Sequence, residues 1–364
     1  MNTRNIITML TIFVATTTAT AKRYNEFTTP QEKGLNIQYI SEPGLSGAYI
    51  DHLYTDKDYL KNEQPAQYGW FRPGATVWWN TKGHYHHDDN YQNIVRHTDR
   101  AQPQISPDGK RMIFFESQVN SIDLGNGINT HLDVFDNIPK NTHEKKHLRA
   151  GSFADNNTMF IYTDSATYQV SISDKKKEAQ LLEGLKGYVQ QHANSKTLYC
   201  EDDDGNVWKY DRMTHTQERL ASNAREINLH GDDLYFRRNS EQGISEIWRI
   251  NVKTLKEEKV LSSTEHGFSS PQISPDGKYI AVHGNALSPI SKKQNLDIFI
   301  AKTDGTGLRQ LTDHPANDEF PIWSIYGNKI YFLSQRRIDG SKYNEYSGGW
   351  LYSMDIKQVL EEMK

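Results

Sequence analysis

One eight-residue sequence occurs twice in this chain of 364 residues. It reads Pro-Gln-Ile-Ser-Pro-Asp-Gly-Lys and runs from Pro103 to Lys110 and again from Pro271 to Lys278. The two copies start 168 residues apart, a distance that divides into four periods of about 42 residues. Periods of about 40 to 50 residues are typical of small units that bury their apolar faces by stacking against neighbours. The repeat therefore predicts a modular architecture before any single residue indicates a function.

Each copy of the octapeptide has the composition of a tight turn between two strands. Proline sets φ for the second turn position, aspartate accepts hydrogen bonds from the backbone that follows, and glycine adopts positive φ without strain. The flanking residues alternate as strands do, with Arg111–Phe115 after the first copy and Tyr279–Val282 after the second. Each copy therefore predicts a β-hairpin.

Further strands follow the hairpins in a recurrent order. A third strand that ends in a polar residue is found at Tyr168–Asp174, Asn206–Asp211, Glu246–Asn251, Asp297–Asp304 and Trp350–Asp355. A short fourth strand is found at Ala179–Leu182, Glu218–Ala221, Lys259–Ser262 and Leu308–Thr312. Since a lone four-stranded sheet cannot bury both of its faces, the sheets must stack around an axis. The predicted fold class is all-β, a single β-propeller of four-stranded blades.

The number of blades depends on how the N-terminal residues are used. Six units can be drawn from residue 101 onward, with starts near Gln102, Gly151, Gly187, Ala224, Phe268 and Asn317. Residues 22–100 are then too numerous for one closing strand. We interpret them as an irregular seventh blade with an insertion, which favours seven blades and leaves six open. The last unit lacks a clear fourth strand before a helical C-terminus, so we expect the N-terminal segment to supply that strand.

The repeat also resembles a known family. Ile-Ser-Pro-Asp-Gly-Lys, followed by Asp297–Ile300, Thr303–Gly307 and Leu308–Thr312, is similar to the WD-like propeller repeat of the TolB family. Residues 268–313 match that repeat almost throughout and residues 101–115 match its first half. The resemblance implies a propeller of a kind that is often periplasmic or secreted. Some propellers with similar repeats are oligogalacturonate lyases, which use histidines and a divalent metal.

The N-terminus has the features of an export signal. Arg4 is followed by an apolar stretch from Ile6 to Ala15 and by the small-residue site Ala19-Thr-Ala21. The predicted organisation is a signal peptide at 1–21, an irregular blade and closure segment at 22–100, and six blades at 101–364. The expected location is periplasmic or secreted, with no membrane span. Cys200 is the single cysteine, so no internal disulfide can form.

Composition and motifs argue against several classes of function. The formal net charge is −4 and no basic stripe with interleaved aromatic residues occurs, which argues against nucleic-acid binding. No Gly-x-Ser-x-Gly motif is present, so a fused α/β-hydrolase is excluded. Asp202-Asp-Asp-Gly205 resembles the start of a calcium loop, but Met213 stands where the bidentate acid is needed, so we interpret it as a hairpin turn. We expect Cys200 to be packed rather than reactive.

An aromatic segment supplies the first candidate binding residues. The sequence from Trp70 to Trp79 is rich in tryptophan and contains a cationic side chain. Exposed tryptophan rings stack on sugars or on the apolar anchors of a partner protein. We therefore predict ligand binding by Trp70, Arg72 and Trp78. The alternative, which is favoured for one of the two residues Trp78 and Trp79, is packing in the core of the irregular blade, since adjacent strand residues point to opposite faces.

A histidine cluster supplies the second candidate site. His84, His86 and His87 lie together, followed by two aspartates and then by His97. Imidazole and carboxylate groups are good ligands for zinc, manganese and similar ions. The hypothesis is a divalent metal site at His84, His86 and His87. The alternative is a polar insertion loop without a cofactor, which is the interpretation favoured here.

The function that the sequence favours is an exported, TolB-like propeller acting as a protein-binding or scaffold module in the cell envelope. The expected partner is an envelope protein or peptide at the propeller mouth, because propeller loops gather there and present a broad surface. A polysaccharide is the alternative partner, bound by a carbohydrate-binding propeller or cleaved by a metal-dependent lyase of the oligogalacturonate type. The sequence does not exclude enzymatic activity, but it favours a binding role over an enzymatic one.

Overall fold

The computed structural model describes two parts of the chain, an N-terminal segment and the repeat region. The described residues are 28–41, 102–115, 119–132, 134, 138, 148–163, 166–174, 176–185, 187–192, 196–290, 292–334, 336 and 350–364. Almost all of them lie in antiparallel strands or in the turns between strands. The exceptions are a short 3-10 helix at Gln31–Leu35 and a helix α1 at Lys357–Glu362. No helix in the described part of the chain is long and apolar enough to cross a bilayer.

Twenty-four strands in this part form six sheets of four strands each. The N-terminal strand is β1 (Gln38–Ser41). Blade 1 contains β2 (Gln104–Ile105), β3 (Arg111–Phe115), β4 (Val119–Asp123) and β5 (Asn129–Leu132). Blade 2 contains β6 (Leu148–Phe153), β7 (Thr158–Thr163), β8 (Thr167–Ser171) and β9 (Gln180–Leu181). Blade 3 contains β10 (Tyr188–His192), β11 (Thr197–Glu201), β12 (Val207–Asp211) and β13 (Thr216–Ala221).

The second half of the ring follows the same plan. Blade 4 contains β14 (Arg225–His230), β15 (Asp233–Asn239), β16 (Ser245–Asn251) and β17 (Glu257–Leu261). Blade 5 contains β18 (Phe268–Ile273), β19 (Tyr279–Leu287), β20 (Gln294–Lys302) and β21 (Arg309–Gln310). Blade 6 contains β22 (Asp318–Trp323), β23 (Lys329–Ser334) and β24 (Trp350–Asp355), and its outermost strand is β1.

Six clusters of buried side chains lie between successive blades and join them into a closed ring. Blades 1 and 2, 2 and 3, 3 and 4, 4 and 5, and 5 and 6 each share one cluster. The sixth cluster joins blade 6 to blade 1 through Met112, Phe114, Ile122, Phe320, Ile322, Leu333 and Leu351. Each sheet thus buries both faces against its neighbours, as the stacking argument requires. The chain is a six-bladed β-propeller, and the predicted fold class is confirmed.

The preference for seven blades is wrong, and the count of six that the sequence left open is correct. Blades 6 and 1 pack directly on each other, so the described strands close the ring with six blades. The strand β1 pairs antiparallel with β24, with Gln38 opposite Ser353 and Tyr39 opposite Tyr352. The N-terminal segment therefore supplies the missing fourth strand of the last blade, as expected from the sequence.

The two octapeptides form identical turns. Ser106 and Ser274 each donate from Oγ to an aspartate Oδ1 two residues on, over 2.6 Å in both cases. Gly109 and Gly277 have φ of 70° and 73°. A Cβ on Gly277 would lie 2.5 Å from His230 Nε2 of blade 4, so glycine is needed for the close approach as well as for the conformation. The turns therefore serve both the hairpins and the contacts between blades.

Candidate functional site at the channel mouth

The first strand of each blade lies beside the axis of the ring. β6, β10, β14, β18 and β22 contact one another in succession, whereas the fourth strands lie at the outer edge of their sheets. Because the strands are antiparallel, the loops after every second strand and after every fourth strand share one end of the ring. We call that end the upper face, and the octapeptide turns lie on the opposite, lower face. Binding sites of propellers form where the loops of one face surround the channel.

A bulge recurs in the innermost strands near the upper face. The pairing register shifts between Arg225 and Asn228, between Ser269 and Gln272, and between Glu319 and Ile322. Within these bulges Glu226, Ser270 and Phe320 adopt positive φ of 59°, 54° and 51°. Such backbone is unfavourable for residues other than glycine and persists only where the surroundings hold it in place. The bulge turns these residues away from the regular ladder at the channel mouth.

The amide groups released by the bulges are bound by side chains of the preceding blade. The Glu226 amide donates to Glu201 Oε2 over 2.8 Å, and the Ser270 amide donates to Glu226 Oε2 over 2.7 Å. The Phe320 amide donates to His283 Nδ1 over 3.3 Å. Buried amides need such partners. The hydrogen bonds run from blade 3 to blade 4, 5 and 6 in turn, so they hold the mouth in a fixed geometry.

Blades 4 and 5 enclose a cleft of about 280 Å³ at this mouth. Its polar lining consists of Glu226, Arg237, Asn239, Ser245, Ser269, His283 and Asn285. Arg237 donates from Nε to Glu226 Oε1 over 3.0 Å and from Nη1 to Asn239 Oδ1 over 3.1 Å. Leu296 and Phe320 add apolar surface. The cleft therefore offers hydrogen-bonding groups of both kinds beside a small apolar wall.

The hydrogen bond to His283 determines the tautomer and the orientation of its imidazole ring. Because Nδ1 accepts from the Phe320 amide, the proton of the neutral ring lies on Nε2. The Phe320 ring packs edge-on against the imidazole, with ring centroids 5.6 Å apart and planes at 81°. His283 is therefore oriented on two sides and is a fixed part of the cleft wall.

Gln102 crosses the axis between two blades that are not neighbours. Its Nε2 donates to Ser270 Oγ over 3.4 Å, and its Oε1 accepts from Gln272 Nε2 over 3.5 Å. The side chain is buried although it lies on the axis of the ring. Gln102 therefore joins blade 1 to the bulge of blade 5 across the inner side of the ring.

The structure does not describe the site residues that were predicted from the sequence. Trp70, Arg72 and Trp78, and the histidines His84, His86 and His87, all lie outside the described residues. Their predicted roles in ligand and metal binding stay predictions. Within the described residues, no group of three histidine, cysteine, aspartate or glutamate side chains is arranged to hold a metal ion.

Two other sequence interpretations are confirmed. Asp202–Gly205 forms the hairpin turn between β11 and β12, with Asp202 Oδ1 accepting from the Asp204 and Asn206 amides. The Trp208 indole donates to the other oxygen of Asp202 over 2.8 Å, so that carboxylate is occupied by its own hairpin. Cys200 is completely buried, and burial raises the pKa of its thiol. Both residues are structural.

Sequence reasoning missed the residues that build the cleft. Glu226, Arg237 and His283 lie on three strands that belong to two different repeats. A signal was available for Glu226, because a charged side chain on the innermost strand of a propeller must face the channel or a neighbouring blade. The bulges could not be predicted from the sequence, since none of the three bulge residues with positive φ is a glycine.

Comparisons with known proteins found similar solved structures and one short sequence match. No family model matches the chain. The putative TolB of Agrobacterium tumefaciens aligns with a TM-score of 0.47 and 16% identity, over 70% of this chain and 89% of that one. TolB of Acinetobacter baumannii aligns with a TM-score of 0.45 and 13% identity, over 71% and 63%. The solved structures similar to this chain thus include TolB β-propellers.

Two further proteins are similar to parts of the chain. An oligogalacturonate lyase of Vibrio parahaemolyticus aligns with a TM-score of 0.45 and 14% identity, over 73% of this chain and 91% of that one. Among curated proteins, dipeptidyl-peptidase 5 of Porphyromonas gingivalis is 34% identical over 67 residues. That match covers 18% of this chain and 10% of the peptidase, so the chain spans about a tenth of the curated relative. At these identities no residue role transfers.

Proposed function

We propose that the protein is an exported binding module of the cell envelope, and that the cleft between blades 4 and 5 receives an extended segment of a partner protein. The observation that carries the proposal is the cleft itself, whose wall is held by hydrogen bonds between blades. A wall that is already ordered loses little conformational entropy when a ligand binds. The role is therefore one of recognition.

The lining of the cleft matches the chemistry of a polypeptide backbone. Asn239 carries an amide side chain that both donates and accepts, and Ser245 and Ser269 add hydroxyl groups. Arg237 is held in place by Glu226, which fixes the direction of its remaining donors. An extended segment presents carbonyl and amide groups alternately, so it can satisfy such a lining. Leu296 and Phe320 would contact one of its side chains.

Export forms part of the same proposal and rests on the N-terminal signal. The cleavage site at Ala19-Thr-Ala21 predicts a mature chain that begins near Lys22. The described fold starts at residue 28, so cleavage there leaves the closing strand β1 intact. N-terminal sequencing of the protein recovered from cells tests this step, and recovery of an uncleaved chain would contradict it.

The binding proposal is tested by cross-linking from the cleft. A photo-cross-linking amino acid is placed at Asn239, which is exposed at the cleft rim. The matched control is Thr254, an exposed residue in the turn between β16 and β17 on the lower face. We expect a discrete, saturable cross-linked partner from envelope extract with the Asn239 protein and none with the Thr254 protein. Equal patterns from both positions would contradict the proposal.

Calorimetry with the purified partner then locates the contact. We expect Ser269→Ala to weaken binding by about tenfold through loss of a side-chain hydrogen bond to the partner, and Thr254→Ala to leave the affinity unchanged. Turnover of a polysaccharide by the purified protein, with no saturable protein partner, would overturn the assignment in favour of the lyase alternative.

A further inference from the structure

The hairpin of β19 and β20 in blade 5 is unusual among the described hairpins. Each of its strands has nine residues, whereas the next longest pair, β15 and β16, has seven in each strand. The additional residues lie at the upper end, because the lower ends of the two hairpins are in the same register. Two residues extend a strand by about 7 Å. The hairpin therefore rises above blade 4, and its base supplies Asn285 and Leu296 to the cleft.

The tip of this hairpin carries aliphatic side chains in water. Leu287 is 59% exposed and Ile290 is 58% exposed, and Pro289 between them is exposed as well. Lys292 and Lys293 follow after one further residue and are also exposed. Single exposed aliphatic residues are ordinary on protein surfaces, but two on one tip beside two cations form an amphipathic patch. We call residues 287–293 the hairpin tip.

Hydrogen bonds within the tip keep these side chains exposed. The Ser288 amide donates to the Lys293 carbonyl over 3.0 Å, and the Lys292 amide donates to the Ser288 carbonyl over 3.0 Å. The Ile290 amide donates to Ser288 Oγ over 3.3 Å, and Ser288 itself is fully buried. Ala286, the residue before Leu287, is buried in the cluster between blades 4 and 5. Because neighbouring strand residues face opposite ways, Leu287 faces away from blade 4.

We propose that the hairpin tip docks on the surface of an anionic lipid bilayer. Leu287 and Ile290 enter the boundary between headgroups and acyl chains, and Lys292 and Lys293 contact lipid phosphates. Aliphatic side chains with adjacent lysines are the combination by which peripheral proteins bind such surfaces reversibly. The tip is a narrow turn that rises above blade 4, so it fits a penetrable surface better than the flat surface of a protein. The inference goes beyond the proposed function, since it concerns a different surface.

The experiment places an environment-sensitive fluorophore on the tip through Ile290→Cys. Cys200 does not compete for the label, because it is fully buried and burial raises the pKa of its thiol. The matched control is Leu255→Cys, which is 51% exposed in a lower-face turn. The probes are vesicles of phosphatidylcholine alone and of phosphatidylcholine mixed with phosphatidylglycerol. We expect a blue shift of emission from the tip label with the mixed vesicles, and no shift from the control label.

Sedimentation with the same vesicles tests the side chains without a label. We expect the pair Leu287→Asp and Ile290→Asp to reduce the vesicle-bound fraction to that seen with phosphatidylcholine alone, and Leu255→Asp to leave it unchanged. Circular dichroism melting checks that each variant is folded. No shift at position 290 with any vesicle, equal shifts at both positions, or binding that ignores phosphatidylglycerol would overturn the proposal. A shift produced by a partner protein in place of vesicles would assign the tip to a protein groove.

Discussion

Arg336 is the residue on which the closure of the ring depends most. Its guanidinium donates to both carboxylate oxygens of Glu32, over 2.8 Å and 2.6 Å, and to Asp318 on its other side. All three side chains are at most 1% exposed. Burial disfavours ionisation of Glu32, but the neighbouring Arg336 outweighs it and holds the pKa of Glu32 below its usual range. The group joins the 3-10 helix near the N-terminus to blade 6.

Replacing Arg336 with methionine leaves two buried carboxyl groups without their cation. Removing one partner from a buried ionic group costs about 3–5 kcal/mol, because the remaining charge stays desolvated. We expect a decrease of that size in the free energy of unfolding, measured by urea denaturation. The control is Arg309→Met, which breaks the solvent-exposed pair of Arg309 with Glu362 and should have no measurable effect. Equal effects of the two substitutions would contradict this account.

His314 makes the free energy of unfolding depend on pH in the acidic range. Burial, followed by the nearby Arg336, lowers the pKa of His314 to about 3, and its Nδ1 accepts from the Ala316 amide. An unfolded histidine has a pKa of about 6.5, so unfolding takes up a proton between about pH 6.5 and pH 3. This group therefore reduces the free energy of unfolding as pH falls through that window, by up to about 1.4 kcal/mol per pH unit.

The substitution His314→Gln tests the sign of that effect. Glutamine can accept from the Ala316 amide but does not titrate, so the variant should lose stability less steeply than the parent protein below about pH 6.5. Urea midpoints measured at a series of pH values give both slopes. Glu32 keeps Arg336 as its principal partner in both proteins, so most of its acid sensitivity is common to both. Parallel curves for the two proteins would show that His314 takes up its proton in the folded state.

At the scale of elements, the N-terminal segment is a working part of blade 6. The strand β1 covers the edge of β24, and Leu35 and Ile37 lie in the cluster between blades 5 and 6. The 3-10 helix brings Glu32 to Arg336, more than 300 residues away along the chain. One segment therefore joins the two ends of the polypeptide through a strand, an apolar contact and an ionic contact.

Deletion of residues 22–42 removes all three contacts. We expect the free energy of unfolding to fall by at least about 3 kcal/mol, since the loss of Glu32 alone leaves Arg336 without one of its two partners. Thermal melting followed by circular dichroism measures the change. A synthetic peptide of residues 28–41 should raise the melting temperature again, and a peptide with Glu32→Gln should raise it less. An unchanged melting curve after the deletion would refute the closing role of β1.

The elements themselves were largely predictable from the sequence. Ser-Pro-Asp-Gly at 106–109 determines a turn by local chemistry alone, so both octapeptide hairpins and the Asp202 turn could be recognised. The unit Pro321–Asn328 has the same turn geometry, with Gly327 at φ 67° and its amide donating to the Ser324 carbonyl. It was missed because Ile325 and Tyr326 replace proline and aspartate. The turn geometry is therefore present even where the sequence pattern that predicts it is absent.

At the scale of the whole molecule, the sequence was less informative. The length of residues 22–100 cannot show whether its strands form a new blade or complete an old one, because pairing between distant strands leaves no local pattern. The same reason hid the Glu32–Arg336–Asp318 group and the cleft, whose residues come from separate repeats. The fold could thus be predicted from local periodicity in the sequence. The cleft could not, because it depends on how the blades are arranged around the axis.

The molecule has two faces of different character. The octapeptide turns, which pack against neighbouring blades, lie on the lower face. The cleft between blades 4 and 5 and the tip of the long hairpin lie on the upper face. The two proposed contacts, with a partner segment and with a lipid surface, therefore point in the same direction. Closure of the ring at blade 6 is what holds the first strands, and hence that face, in position.

A disulfide trap tests the six-bladed closure most directly. Gln38 and Ser353 face each other in the pairing of β1 with β24, so cysteines at both positions should form a disulfide on mild oxidation. Cys200 is buried and does not interfere. The control pairs Gln38→Cys with Arg219→Cys, an exposed residue on the outer strand of blade 3. Peptide mapping by mass spectrometry should show the link between residues 38 and 353 and none between 38 and 219. Absence of the first link in the folded protein would contradict closure by the N-terminal strand.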